Sequence, residues 1–198
     1  MHKLIFATNN QNKVEEIKSV TGGSFEVISL KQAGINIDIP EPFDTLEKNA
    51  EAKSRTIYNL TKTNCFSEDT GLEVSALNGE PGVKSARFAG EGKSAEENIK
   101  KLLLALKGVE NRKAQFRTVI SLIIEGDEHL FTGVCEGNIT TTPKGEKGFG
   151  YDPVFVPAGD TRTFGEMSIE EKNSYSHRKK ATDKLISFLL HNGNNLFP

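Results

Sequence analysis

Apolar positions along the chain change their spacing from one stretch to the next, and each change marks an element. Lys3–Ala7 is a compact apolar run that predicts a strand. Behind it, Val14, Ile17 and Val20 share one face of a helix over about Asn12–Thr21. Phe25–Leu30 alternates as a second strand. Asp44-Thr45-Leu46-Glu47 sets an N-cap three residues before an acid and opens a helix to about Leu60, with Leu46, Ala50, Ile57 and Leu60 inward. Asn64–Ser67 and Leu72–Ala76 predict strand segments on either side of a turn, EDTG.

The second half follows the same rules. NGEPGVKSARFAGEGK is a long Gly-rich loop, a length that often goes with function. Ser94-Ala95-Glu96-Glu97 is a capping box, and Ile99, Leu102, Leu103 and Leu106 follow at core spacing. Ala114–Glu125 and His129–Thr140 form a long hairpin joined at Gly126-Asp127. A strand at Val154–Val156, a short helix capped by Ser168–Glu171 and a last helix over about Ser176–His191 complete the order, the last burying Ala181, Leu185, Phe188 and Leu189. Helices and strands alternate at both ends around an antiparallel ribbon. That order predicts an α/β fold, a mixed sheet flanked by helices, in a single domain over residues 1–198.

Composition narrows the function classes. A length of 198 residues supports one sizeable core, with room for two lobes. The net charge of -2 excludes a chain that coats a polyanion, so direct nucleic-acid binding is not expected, while a small anionic ligand stays open. Cys65 and Cys135 fall in predicted strands, far apart, and read as small buried residues in a reducing compartment. No zinc spacing, signal peptide or membrane span is present in the sequence, so the expectation is a cytoplasmic protein without a membrane partner.

Four loops carry more polar and glycine residues than a connection needs. In TNNQNK, Thr8, Asn9 and Asn10 offer short donors at a helix N-terminus, which favours anions, and Lys13 adds a full charge; plain helix capping explains the asparagines equally well. In FSEDTGL, Glu68 and Asp69 are adjacent acids suited to a hard divalent cation, or else solvated turn residues, and Glu41 in IPEPF is a third acid. In KGFGYDPVF, Phe149 and Tyr151 can stack on a base while Asp152 accepts from its ring, or the aromatics can tuck into the core. In EKNSYSHRKKA, Lys172, His177 and Arg178 gather near a helix N-terminus, where cations are disfavoured unless an anionic or electron-rich partner is present. Together the four suit a nucleoside triphosphate.

The stretches LIFATNNQNK, Asn49-Ala50…Lys53, SEDTGLEV, GEPGVKSARFAG, KGFGYDPVF and SHRKKA occur in one order along nearly the whole chain. In this the sequence resembles the inosine triphosphate pyrophosphatase (Ham1/RdgB-like) family of non-canonical purine nucleotide hydrolases. The resemblance implies an elongated mixed sheet with a cleft between two α/β lobes, a homodimer, Mg²⁺, and hydrolysis of ITP, dITP or XTP to monophosphate and pyrophosphate. It implies triphosphate contacts at Thr8, Asn10, Lys13 and Lys53, with Asn9, Gln11 and Asn12 completing the same substrate-binding stretch. Glu41 and Asp69 match the Mg²⁺ acids, Glu68 stands beside them, and Asp69 activates water with Lys13 and Lys53 as catalytic cations. Thr70, Phe149, Gly150, Tyr151, Asp152, Lys172, His177 and Arg178 match the nucleoside pocket, with Arg178 and His177 donating to the purine 6-carbonyl. The sequence departs at Asn9, where bacterial members usually carry glycine; Asn is among the few other residues that tolerate a left-handed conformation, so the loop should survive. Two other readings share these residues: a Maf-like pyrophosphatase acting on other nucleotides, and a nucleotide sensor without catalysis.

Overall fold

A computed structural model describes residues 3–92 and 94–196. Strand β1 (Lys3–Phe6) leads into α1 (Gln11–Thr21) and β2 (Glu26–Ser29), and α2 (Leu46–Thr61) returns the chain to β3 (Cys65–Val74). The Gly-rich segment holds a short β4 (Pro81–Gly82), after which come α3 (Ala95–Ala105), β5 (Lys113–Ile124) and β6 (Asp127–Ile139). The chain ends with β7 (Phe155–Pro157), α4 (Ile169–Asn173) and α5 (His177–Leu196). The sheet is mixed, in the order β2-β1-β3-β5-β6-β7 with β4 paired to β3. β1 runs parallel to β2 and β3, while β3–β4 and β6–β7 are antiparallel. Among the described residues no helix is long and apolar enough to cross a membrane.

Residues Met1–Asp69, Thr118–Gly133 and Arg178–Pro198 supply one compact unit, and Thr70–Arg117 with Val134–His177 supply another. The first unit packs Leu4, Phe6 and Phe66 against Val14 and Ile17 of α1 and Ala181, Leu185 and Leu189 of α5. The Phe6 and Phe66 rings stack there at 4.5 Å. The second unit packs Leu72 and Val74 with Leu102 and Leu106 of α3 and with Phe116, Phe155 and Phe164. Cys65 and Cys135 are both buried and free, and burial pushes the Cys65 thiol up to about 12.

Several elements differ from the sequence reading for identifiable reasons. EDTG is not a turn: β3 runs unbroken through Glu68, Asp69 and Gly71. Acids inside an apolar run look like a break, but each is supplied with a buried cation. The helix α2 is capped by Thr45, whose side chain accepts from Lys48 N–H, not by Asp44. Leu60 is 59% exposed because the buried stripe of α2 ends one turn earlier, at Ile57. That stripe also holds Asn49, Lys53 and Ser54, polar residues that hydrophobic periodicity does not count. Asn9 is not left-handed: the non-glycine residues with positive φ, among those described, are Lys62, Asn78 and Glu125.

Gly71 is the point of tightest approach on β3. A Cβ there would lie 2.7 Å from the Gly82 carbonyl oxygen of β4, and backbone cannot yield as a flexible side chain does. Gly71→Ala should destabilise the protein by about 1–3 kcal/mol, the range for overpacking, read from urea unfolding curves. An unchanged midpoint would mean that β4 is not held against β3 as described.

Candidate active site

The first unit gathers a buried set of opposite charges around β3. Consecutive residues of a strand point to opposite faces, so Glu68 and Asp69 meet different partners. Glu68 is fully buried and accepts from Arg178 through both oxygens, at 2.7 Å from Nε and 2.8 Å from Nη2. Lys13, from the first turn of α1, stands 3.0 Å from Glu68 Oε1. Arg178 also donates to Glu16, which the inward face of α1 carries at 6% exposure. Burial alone would push the Glu68 carboxyl up, but Arg178 and Lys13 together hold it well below the usual carboxylate range.

Asp69 has a different surrounding. Lys53 of α2 donates to its Oδ1 at 3.2 Å and also to Glu41. The other oxygen, Oδ2, is buried and has no hydrogen-bond partner among the described residues. Burial raises the Asp69 carboxyl above its ordinary value, Lys53 and Lys13 oppose this, Glu41 adds to it, and the net shift is upward. For Lys53, burial is outweighed by Asp69 and Glu41, so its ammonium is held charged. Lys13, Lys53 and Arg178 thus face the carboxylates of Glu16, Glu41, Glu68 and Asp69.

The turn before α1 is built by local bonds. Asn10 is the N-cap, its Oδ1 accepting from Lys13 N–H, and Thr8 Oγ1 accepts from Asn10 N–H. Capping is therefore a demonstrated role of Asn10. Asn9 turns its amide to the Ile37 carbonyl at 2.8 Å, and Gln11 and Asn12 are exposed first-turn residues of α1.

The second unit holds the remaining candidates. Asp152 Oδ2 accepts from Phe149 N–H at 2.9 Å and from Lys172 Nζ at 2.6 Å. Gly148 has φ +73° and lies so close to the Asp152 carboxyl that any Cβ would collide with it, which explains a glycine before Phe149. Lys172 is 4% exposed, with its Nζ 5.2 Å above both the Phe149 and the Phe164 rings. Tyr151 is in the core and donates to the Ser85 carbonyl, while Phe149 and Gly150 stay half-buried. His177 stacks on Phe116 at 4.7 Å, and Thr70 is a half-buried residue of β3.

Two of the predicted site residues have partners within the protein itself. Arg178, which the resemblance sets against a purine carbonyl, places three of its nitrogens on Glu68 and Glu16. Glu68, which the resemblance sets beside the metal acids, has Arg178 and Lys13 at its oxygens. Glu16 was missed altogether. Its one signal was an acid between Val14 and Ile17 on an apolar face.

Glu68 gives a pH test. Its folded pKa is depressed, so its stabilisation is complete above the unfolded value of about 4.3 and is lost as pH falls towards the folded pKa. Glu68→Gln should cost about 3–5 kcal/mol at pH 7, as breaking a buried pair does. The difference from the unmodified protein should shrink as pH is lowered from 5 to 3, measured by denaturant unfolding. A difference that does not change with pH would contradict the ion-pair role.

Comparison with known proteins agrees with this architecture. The Ham1 family model matches residues 4–188. The dITP/XTP pyrophosphatase of Flavobacterium johnsoniae is 50% identical over 187 residues, covering 94% of this chain and 97% of the relative. That of Porphyromonas gingivalis is 50% identical over 191 residues, covering 96% and 98%. The Staphylococcus aureus Ham1 protein structure superposes with a TM-score of 0.86 at 39% identity, covering 96% of this chain and 99% of that one. With a family model that spans all but the ends of the sequence, this chain belongs to the Ham1 family.

Proposed function

We propose that the chain hydrolyses deaminated purine nucleoside triphosphates, ITP, dITP and XTP, to monophosphate and pyrophosphate. The dITP/XTP pyrophosphatase activity named for relatives half identical over nearly the whole chain supports the substrate class. The observation that carries the chemistry is Asp69, a buried carboxylate with an elevated pKa, one oxygen held by Lys53 and the other open. A base works best when its pKa approaches the operating pH, and burial moves Asp69 in that direction.

Lys13, Lys53 and the α1 N-terminus, with Thr8 and Asn10, are assigned the triphosphate. Set beside four carboxylates, a polyanion is better held when a cation joins it. Among the described residues no cluster of three metal-ligating side chains is present. Mg²⁺ needs no such cluster, since one or two carboxylates plus substrate phosphates suffice. The open Oδ2 of Asp69, with Glu41 beside Lys53, fits that requirement. Bound there, Mg²⁺ would neutralise phosphate charge and acidify water. Glu68 enters this reading as the carboxylate that orients Lys13 and Arg178.

Asp69 orients the water and takes its proton as the water oxygen bonds to the α-phosphorus. The bond from that phosphorus to the bridging oxygen breaks, and pyrophosphate leaves with the electron pair. Charge grows on the bridging oxygen, where Lys13 and Lys53 stabilise it more than in the ground state. Phe149, Asp152, Lys172 and His177 are assigned the purine, with Thr70, Gly150 and Tyr151 shaping their surroundings. Donors that meet a 6-carbonyl would be left unbonded by the amino group of adenine, a mismatch worth on the order of 10⁴-fold. A homodimer and a cytoplasmic location belong to the same reading and rest on the family resemblance.

The test is a nucleotide panel with Mg²⁺, scoring pyrophosphate against orthophosphate. dITP and XTP should release pyrophosphate far faster than dATP, dTTP or UTP, and activity should vanish with EDTA. Asp69→Asn should lower kcat by about 10²–10⁴-fold while nucleotide still binds. Near-normal turnover by that variant would remove Asp69 from the chemistry, and orthophosphate as the product would overturn the reaction.

A further inference from the structure

The loop that carries Glu41 is tied down on both sides of that residue, and the ties come from two asparagine side chains. Residues 35–39 belong to no helix or strand and alternate in burial, with Ile35, Ile37 and Ile39 half-buried against the core cluster of Ile5, Leu30 and Ile57, and Asn36 and Asp38 exposed. Ile35 N–H donates to the Leu30 carbonyl at 2.9 Å, which fixes the loop's start. Four residues before Glu41, the Ile37 carbonyl accepts from the Asn9 amide at 2.8 Å. Two residues after Glu41, Phe43 is held by Asn49, which accepts from its N–H at 2.9 Å and donates to its carbonyl at 3.0 Å. Asn49 is fully buried on the inward stripe of α2, one turn before Lys53. Glu41 in turn pairs with Lys53, which reaches Asp69.

The two ties differ in kind. Asn49 anchors the loop from within the fold. Asn9 is exposed and belongs to the turn between β1 and α1, the turn assigned to phosphate. Its amide therefore joins the phosphate turn to the loop of the acid that pairs with Lys53. We propose that Asn9 is a positioning residue: through Ile37 it sets the Glu41 loop, and thereby Glu41, Lys53 and Asp69, relative to the turn of Thr8 and Asn10. This rests on the functional reading above for its catalytic consequence, and on the hydrogen bonds alone for its structural one.

Two measurements test it with Asn9→Gly, which deletes the amide at an exposed position. Amide hydrogen exchange of the nucleotide-free protein should quicken over residues 36–43 by about three- to tenfold, the range expected for one lost hydrogen bond, with the rest of the chain unchanged. With dITP, kcat should fall by about three- to tenfold and KM should move less than twofold. The loss should not add to that of Glu41→Gln in the double variant, because both act through the same acid. Unchanged exchange over 36–43 would overturn the tie, and so would a raised KM at unchanged kcat, the mark of a direct substrate contact. Fully multiplicative losses would show that Asn9 does not act through Glu41. Failure of the unmodified protein to turn over dITP would instead sink the functional reading, and the exchange result would stand.

Discussion

Two acids side by side on a buried strand are the constraint from which the first unit follows. A carboxylate cannot be taken from water without a counter-charge or a shifted pKa, and the pleat of β3 sends Glu68 and Asp69 to opposite faces. Each acid therefore has its own supply. Glu68 draws Arg178 from the start of α5 and Lys13 from the start of α1, and Arg178 brings in Glu16. Asp69 draws Lys53 from the middle of α2, which brings in Glu41. The charges of two consecutive residues are thus met by cations from three helices.

The two solutions are unequal, and the inequality has a chemical use. Glu68 is satisfied so fully that its proton is hard to add, which suits a fixed structural charge. Asp69 keeps one oxygen open and a raised pKa, which suits a group that exchanges a ligand or a proton. In the second unit, Asp152 repeats the first solution: one oxygen collects Phe149 N–H and the Lys172 ammonium, and the ring of Phe149 is set beneath that ammonium. In both units a satisfied carboxylate fixes the cations and the ring around it.

Most elements were legible in the sequence because hydrophobic periodicity and capping chemistry act locally. Thr8-Asn9-Asn10 announced a helix start, Ser168–Glu171 a capping box, and Gly126-Asp127 a hairpin, and each stands where residue chemistry put it. What stayed illegible depends on long-range charge. Glu68 and Asp69 looked like a turn because their partners lie 110 and 16 residues away. Arg178 and Glu16 are separated by 162 residues, a pairing no local pattern displays. Asn49 and Lys53 share the inward stripe of α2 with apolar residues, so a periodicity that counts only the latter passes over them. Motifs single out residues; the fold shows which groups of the protein they hold.

If water handled at Asp69 enters at the α-phosphorus, pyrophosphate is expelled intact. Hydrolysis of dITP in ¹⁸O-enriched water locates that attack, with the products read by mass spectrometry. The prediction is one ¹⁸O atom in the nucleoside monophosphate and none in pyrophosphate. Label in the pyrophosphate would place the attack at the β-phosphorus and contradict the account.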